Sequence, residues 1–151
     1  MRTLPAVLVM ALCLAAAVAC GNPKPPTGRW EGTYESAHTM IAARLEIDKG
    51  GAVYVSAPDA FDITATSDAA REVIRQRLAM SLAEGWSNVG PRALDFDGKV
   101  FRKPGGIAPQ IEWNPDTGRM TLVVYPGARP TVHIAMRAVR DFSPDPWPGQ
   151  G

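Results

Sequence analysis

From Arg29 onward the chain is cut into short β-branched and aromatic runs, separated by turn signals at intervals of roughly eight to twelve residues, and that rhythm points to an all-β architecture. The clearest unit is IAARLEIDKGGAVYVSA. Ile41, Ala43, Leu45 and Ile47 alternate with Ala42, Arg44, Glu46 and Asp48, Lys49-Gly50-Gly51 supplies a turn, and Val53 and Val55 continue the apolar row with Tyr54 and Ser56 opposite. Alternation at period two is what a strand with one buried face produces, because successive side chains point to opposite sides of a sheet. A second hairpin is predicted in ALDFDGKVFRK around Asp97-Gly98, and a third in QIEWNPDTGRMTLVVY around Pro115 to Gly118, where glycine supplies the positive φ such loops need. TVHIAMRAV alternates again, Val132, Ile134 and Met136 against Thr131, His133 and Arg137. With RWEGTYES counted first, about eight strands are expected.

Residues 67–86, SDAAREVIRQRLAMSLAEGW, break the rhythm: they are rich in helix formers and poor in β-branched residues. A helix is predicted over about 68–84, capped by Ser67 or Asp68 and ended by Gly85. Ala70, Ile74, Leu78 and Leu82 form a stripe, but Arg77 and Ser81 separate it from Val73 and Met80. So narrow an apolar face suits a helix covering one end of a sheet or barrel, the reading preferred here, or a partly exposed helix with Arg and Glu on its wet side. Eight antiparallel strands in about 110 residues most economically close on themselves, which removes edges that invite aggregation. The fold expected is mainly β: one domain over 29–140, a small antiparallel barrel or strongly curved sheet of about eight strands, with one mid-chain α-helix.

The N-terminus has a different character. Met1-Arg2-Thr3 is followed by LPAVLVMALCLAAAV, an apolar stretch shorter than the roughly twenty residues a membrane span needs, with no basic residues directly after it. Residues 1–19 therefore read as an export signal, 20–28 (CGNPKPPTG) as a Pro/Gly-rich tether, and 141–151 (DFSPDPWPGQG) as a Pro-rich tail. In that tail Phe142 is expected to dock on the domain and the residues after Pro144 to stay free of it. Ala17, Val18 and Ala19 before Cys20 resemble a bacterial lipobox, with Ala17 where that family usually has Leu. The resemblance implies lipidation of Cys20, which becomes the mature N-terminus, and Gly21 resembles the pattern sent to the outer membrane. The implied location is the periplasmic face of that membrane, held by the N-terminal lipid. The alternative is an ordinary signal peptide that leaves Cys20 as a free thiol.

If the leader is removed, Cys13 goes with it and no intramolecular disulfide is possible. Stability must then come from the core alone. The chain carries 16 Lys and Arg against 15 Asp and Glu, and loss of Arg2 makes the two equal. Nothing in that balance favours a nucleic-acid partner. Gly28-Arg29-Trp30, within GRWEGTY, resembles the Gly-x-Trp of lipocalin-like small barrels, where the Trp plugs one end. Lipid-anchored envelope barrels, including periplasmic inhibitors of lysozymes and proteases, look comparable. The mid-chain helix and the short chain depart from true lipocalins, and Trp30 is equally accounted for as core filling.

Residues with chemistry are sparse. His133 shares a strand face with Thr131 and Arg137 but has no nucleophile or carboxylate at a diagnostic spacing. His38 has no metal-ligand neighbour. Asp95 to Lys99 opens like a calcium loop yet lacks the third oxygen ligand and the closing Glu, so a hairpin turn accounts for it. Lys103 to Gln110, though Gly-rich, lacks the features of a phosphate loop. Asp59, Asp62, Asp68 and Glu72 cluster before the helix, where carboxylates could work as a pair, but Asp68 and Glu72 suit a helix N-terminus more simply. No enzyme activity, cofactor or metal is expected. Two binding classes stay open. One is a carrier of a small apolar ligand lined by Trp30, Tyr54, Trp113 and Tyr125. The other, preferred because Val53, Val55, Leu122, Val124, Ile134 and Met136 could fill so small a barrel, is an interaction or inhibitor-like module. It would meet a protein partner in the envelope through PGGIAP, PGARP or the helix, with His133 and Arg137 as further candidate contacts.

Overall fold

The computed structural model describes residues 21, 23–57, 60–90, 94–105, 109–125 and 130–147. Cys20, the 1–19 leader and parts of the PGGIAP and PGARP loops lie outside them. Ten antiparallel strands form one strongly curled half-barrel sheet, accompanied by a single helix, among the described residues. In chain order they are β1 (Gly28–Glu35), β2 (Thr39–Ile47), β3 (Val53–Ser56), β4 (Ala60–Asp62), α1 (Asp68–Glu84), β5 (Trp86–Gly90), β6 (Asp95–Phe96), β7 (Phe101–Arg102), β8 (Gln110–Asn114), β9 (Arg119–Val124) and β10 (Val132–Val139). The sheet order is β5-β3-β2-β1-β10-β9-β8-β7-β6, with β4 beside the start of β2. The two strands beyond the predicted eight are β4 and β5. AFD and WSNVG are too short or too polar to show an alternating apolar row, and they are held by pairing with β2 and β3.

The sheet remains open: β5 and β6 form its two edges. β6 and β7 are two residues long, which leaves little ladder from which to continue toward closure. Strand β10 changes partner along its length: its first half pairs β9 through Met136 and its second half pairs β1 from Arg137 to Val139. Gly32 sits opposite that changeover. A Cβ there would stand 2.6 Å from the Ala135 carbonyl oxygen and 2.9 Å from both Ile134 Cγ2 and Met136 Sδ, so the strands approach closely only because the residue has no side chain.

Alternation sorts the side chains as predicted on the concave face. Trp30, Ile41, Ala43, Leu45, Ile47, Val53 and Val55 meet Ile111, Met120, Leu122, Val132, Ile134 and Met136 in one core. The convex side differs from expectation. Met40 and Ala42 are fully buried there, under Ile63, Leu78 and Leu82. The helix therefore lies on the convex face of β2, not across an end of the sheet. Ser67 caps it by accepting from the Ala70 amide at 3.3 Å, and Ser56 Oγ donates to the Leu82 carbonyl at 2.8 Å to tie its C-terminal turn to β3. Val73 and Met80 stay 64% and 69% exposed, off the packed stripe.

The tail after β10 crosses the same convex face. Phe142 docks as expected, its ring 5.4 Å from that of Trp86. The expectation that the chain is free beyond Pro144 is overturned: Pro146 is buried, and Trp147 packs with Phe61 and Ile74 against the Met40, Ala42, Ile63, Leu78 and Leu82 cluster. An indole beside an apolar helix–sheet seam gains more from leaving water than the short tail loses by being ordered.

Candidate functional site

Two regions bring side chains together, one on each face of the sheet. On the convex face the centre is Glu31, 1% exposed, on β1 directly across from Arg44 on β2. Its carboxylate accepts from Arg137 at 2.7 Å and from the Ser143 amide at 3.0 Å. Arg44 donates back to the Ser143 carbonyl and stacks over Phe142 at 5.1 Å, with Arg29 over the same ring at 5.7 Å. Burial holds the Arg44 guanidinium below its ordinary value, while Glu31 pulls the other way. A second ionic group seats the helix: Glu35 accepts from Arg71 at 3.3 Å and from Arg75 at 2.8 Å, and Arg75 also lies 5.6 Å over the Trp147 ring. The Glu35 and Glu72 contacts push Arg75 above its ordinary value against the cost of burial. Both networks spend their charges on holding the tail and the helix, so this face serves as a clamp.

On the concave face Trp30 and Trp113 meet with ring centroids 5.9 Å apart and planes at 60°, a tilted pairing that fills the floor of the curl. Above it an open cleft of about 390 Å³ runs between Val55, Ala57, Ser87 and Val89 on one wall and Pro109, Val124 and Tyr125 on the other. Among the described residues its lining carries no charge. A second hollow of about 470 Å³ near the start of β1 is walled by charges of both signs, Arg29, Lys49 and Arg140 with Glu46 and Asp48.

The residues singled out from sequence do not converge. Trp30 and Trp113 lie together in the core, and Tyr125, 45% exposed, stands on the cleft rim. Tyr54 alternates to the convex side, opposite Glu46 and Asn88. His133 is exposed on the convex face of β10, and Arg137 is spent on Glu31. His38 Nδ1 lies 3.1 Å from Thr64 Oγ1 in an exposed loop. Among the described residues no group of His, Cys, Asp or Glu could hold a metal ion, and no helix is long and apolar enough to cross a membrane. Sequence reasoning passed over Glu31 because GRWEGTY drew attention to its tryptophan. The legible signal was a carboxylate one position from Trp30, on the strand face that also carries Arg29. Strand β5 was passed over for want of an apolar pattern.

Compared with known protein families, with characterised proteins and with solved structures, the chain matches none.

Proposed function

We propose that the protein is a lipid-anchored envelope module, held by Cys20, that acts by binding a protein partner. The observation that carries this reading is how the concave interior is filled. Trp30, Phe101, Ile111, Met120, Leu122 and Ile134 occupy it, and beside them lies an open cleft, uncharged among the described residues, along the β5 edge of the sheet. A sheet with a packed interior and an open edge offers a surface for another chain. The helix and tail are clamped to the opposite face, so the cleft sits on a rigid scaffold, the usual setting for a recognition surface.

The carrier reading retains one specific support, since about 390 Å³ lies near the lower end of the range for small-ligand sites. The two are separated by titrating fatty acids and uncharged apolar dyes into the purified protein while following tryptophan emission. A partner-binding module gives no saturable change, and a photo-cross-linker replacing Tyr125 yields a discrete protein adduct in intact cells. Saturable micromolar binding of an apolar small molecule, lost in Trp113→Ala, would replace this function by that of a carrier.

A further inference from the structure

The two edges of the sheet are protected very differently. β6 is two residues long and is flanked by charge, with Asp95 on it and Asp97 in an ion pair with Arg102 beside it. Short, charged edges are the usual defence against unwanted strand pairing. β5, Trp86-Ser87-Asn88-Val89-Gly90, has five residues with no charge or proline within the strand, Pro91 and Arg92 following it directly in the sequence. One side pairs β3, and among the described residues nothing pairs the other. A register shift between Val53 and Tyr54 sets Val89 as an extra residue on the β5 side, and it joins Ser87 in lining the cleft. Among the described residues, an edge with no neighbouring strand thus runs along one lip of a groove with no charge in its lining.

We infer that the β5 edge and its cleft bind one extended, uncharged polypeptide segment, which adds as a strand beside β5 and continues the half-barrel. This rests on the partner-binding reading and names the partner's chemistry. The strand edge dictates an extended backbone, since the groups it turns away from β3 repeat at strand spacing up to Val89, the Gly90 amide being taken by Asn88 Oδ1 at 3.0 Å. The lining dictates the side chains: Val55, Ala57, Val89 and Val124 offer no counter-charge, so a Lys, Arg, Asp or Glu pointing inward would be desolvated without compensation. Pro109, Val124 and Tyr125 form the wall facing β5, so a segment added there would meet an uncharged surface on that side as well.

The test is selection of random octapeptides displayed on phage against the immobilised full chain. Uncharged sequences with alternating β-branched residues are expected to enrich. The synthetic form of the winner should slow hydrogen exchange by about tenfold or more at those amides between Ser87 and Val89 that do not face β3, as new backbone hydrogen bonds would. Methylating alternate backbone nitrogens of the peptide should abolish binding with the protein untouched. Ser87→Lys, at an exposed position, should weaken binding about tenfold while the melting temperature holds, by placing an unpaired charge on the lip. No enrichment over a blank surface, charged winners, protection away from β5, binding indifferent to methylation, or dimerisation through β5 would each overturn the inference. Cross-linking that captures a partner only from α1 or the tail would remove it yet leave the partner-binding function standing.

Discussion

Replacing Glu31 by Gln keeps the shape of the side chain and deletes its charge, which isolates what the buried carboxylate does for the convex clamp. The Ser143 amide loses an ionised acceptor, an interaction worth about 1.5–3 kcal/mol. Arg44, also buried, loses the charge directly across from it. Stripping one member from a buried pair costs about 3–5 kcal/mol where both are fully enclosed. Here Arg137 is 62% exposed and can re-solvate, so its share is about 1 kcal/mol or less. A loss of about 2–4 kcal/mol follows, and at about 4 °C per kcal/mol for a domain of this size the melting temperature should fall by roughly 8–16 °C. Thermal unfolding by circular dichroism reads the shift, and limited proteolysis after Arg140 reads release of the tail. Glu31→Gln combined with Arg44→Met should recover at least half of the loss, because an apolar side chain tolerates burial that an orphaned guanidinium does not. A single variant melting within about 2 °C of the parent, or a double variant no better than the single, would refute the clamp.

Gly32→Ala pushes a methyl onto the Ala135 carbonyl and should cost about 3 kcal/mol or more, read as a lower urea midpoint at unchanged slope. Trp147→Ala should lower the melting temperature by about 8 °C, since a half-buried indole on the helix–sheet seam carries roughly half of a full Trp truncation; a fall of a degree or two would return the tail to solvent. Hydrogen bonds from the Val100 and Lys99 amides hold the Asp97 carboxyl below its usual range, with Arg102 adding to the effect. Because the folded value is depressed, the turn's stabilisation is present above the unfolded Asp value and lost as pH falls through the folded one. Carboxyl NMR should therefore show Asp97 titrating below an unfolded peptide reference, and Asp97→Asn should flatten the acid dependence of exchange at Val100. Cys20→Ser should move the protein from the membrane fraction to the soluble periplasmic fraction; retention on membranes would remove the lipid anchor.

What the sequence determined by itself is whatever a local period encodes. Ile41 to Ile47, Val53 and Val55, and Val132 to Met136 alternate over enough residues to specify strands and the face that turns inward, and Ser67 through Leu82 specify a helix and its start. The tertiary structure decided what depends on which surface arrives from far along the chain. Met40 and Ala42 lie on the side of β2 that Arg44, Glu46 and Asp48 mark as outward, yet Leu78, Leu82 and Trp147 close over them. Glu31 and Arg44 are buried because a tail more than a hundred residues beyond Glu31 crosses them. β5 exists because β3 presents a ladder to it, WSNVG having little strand signal of its own. The open cleft arises where β3 and β5 face the ends of β8 and β9 across the curl. No local pattern encodes that gap, because its walls come from strands more than fifty residues of sequence apart, Val55 and Ala57 on one side and Pro109 and Val124 on the other.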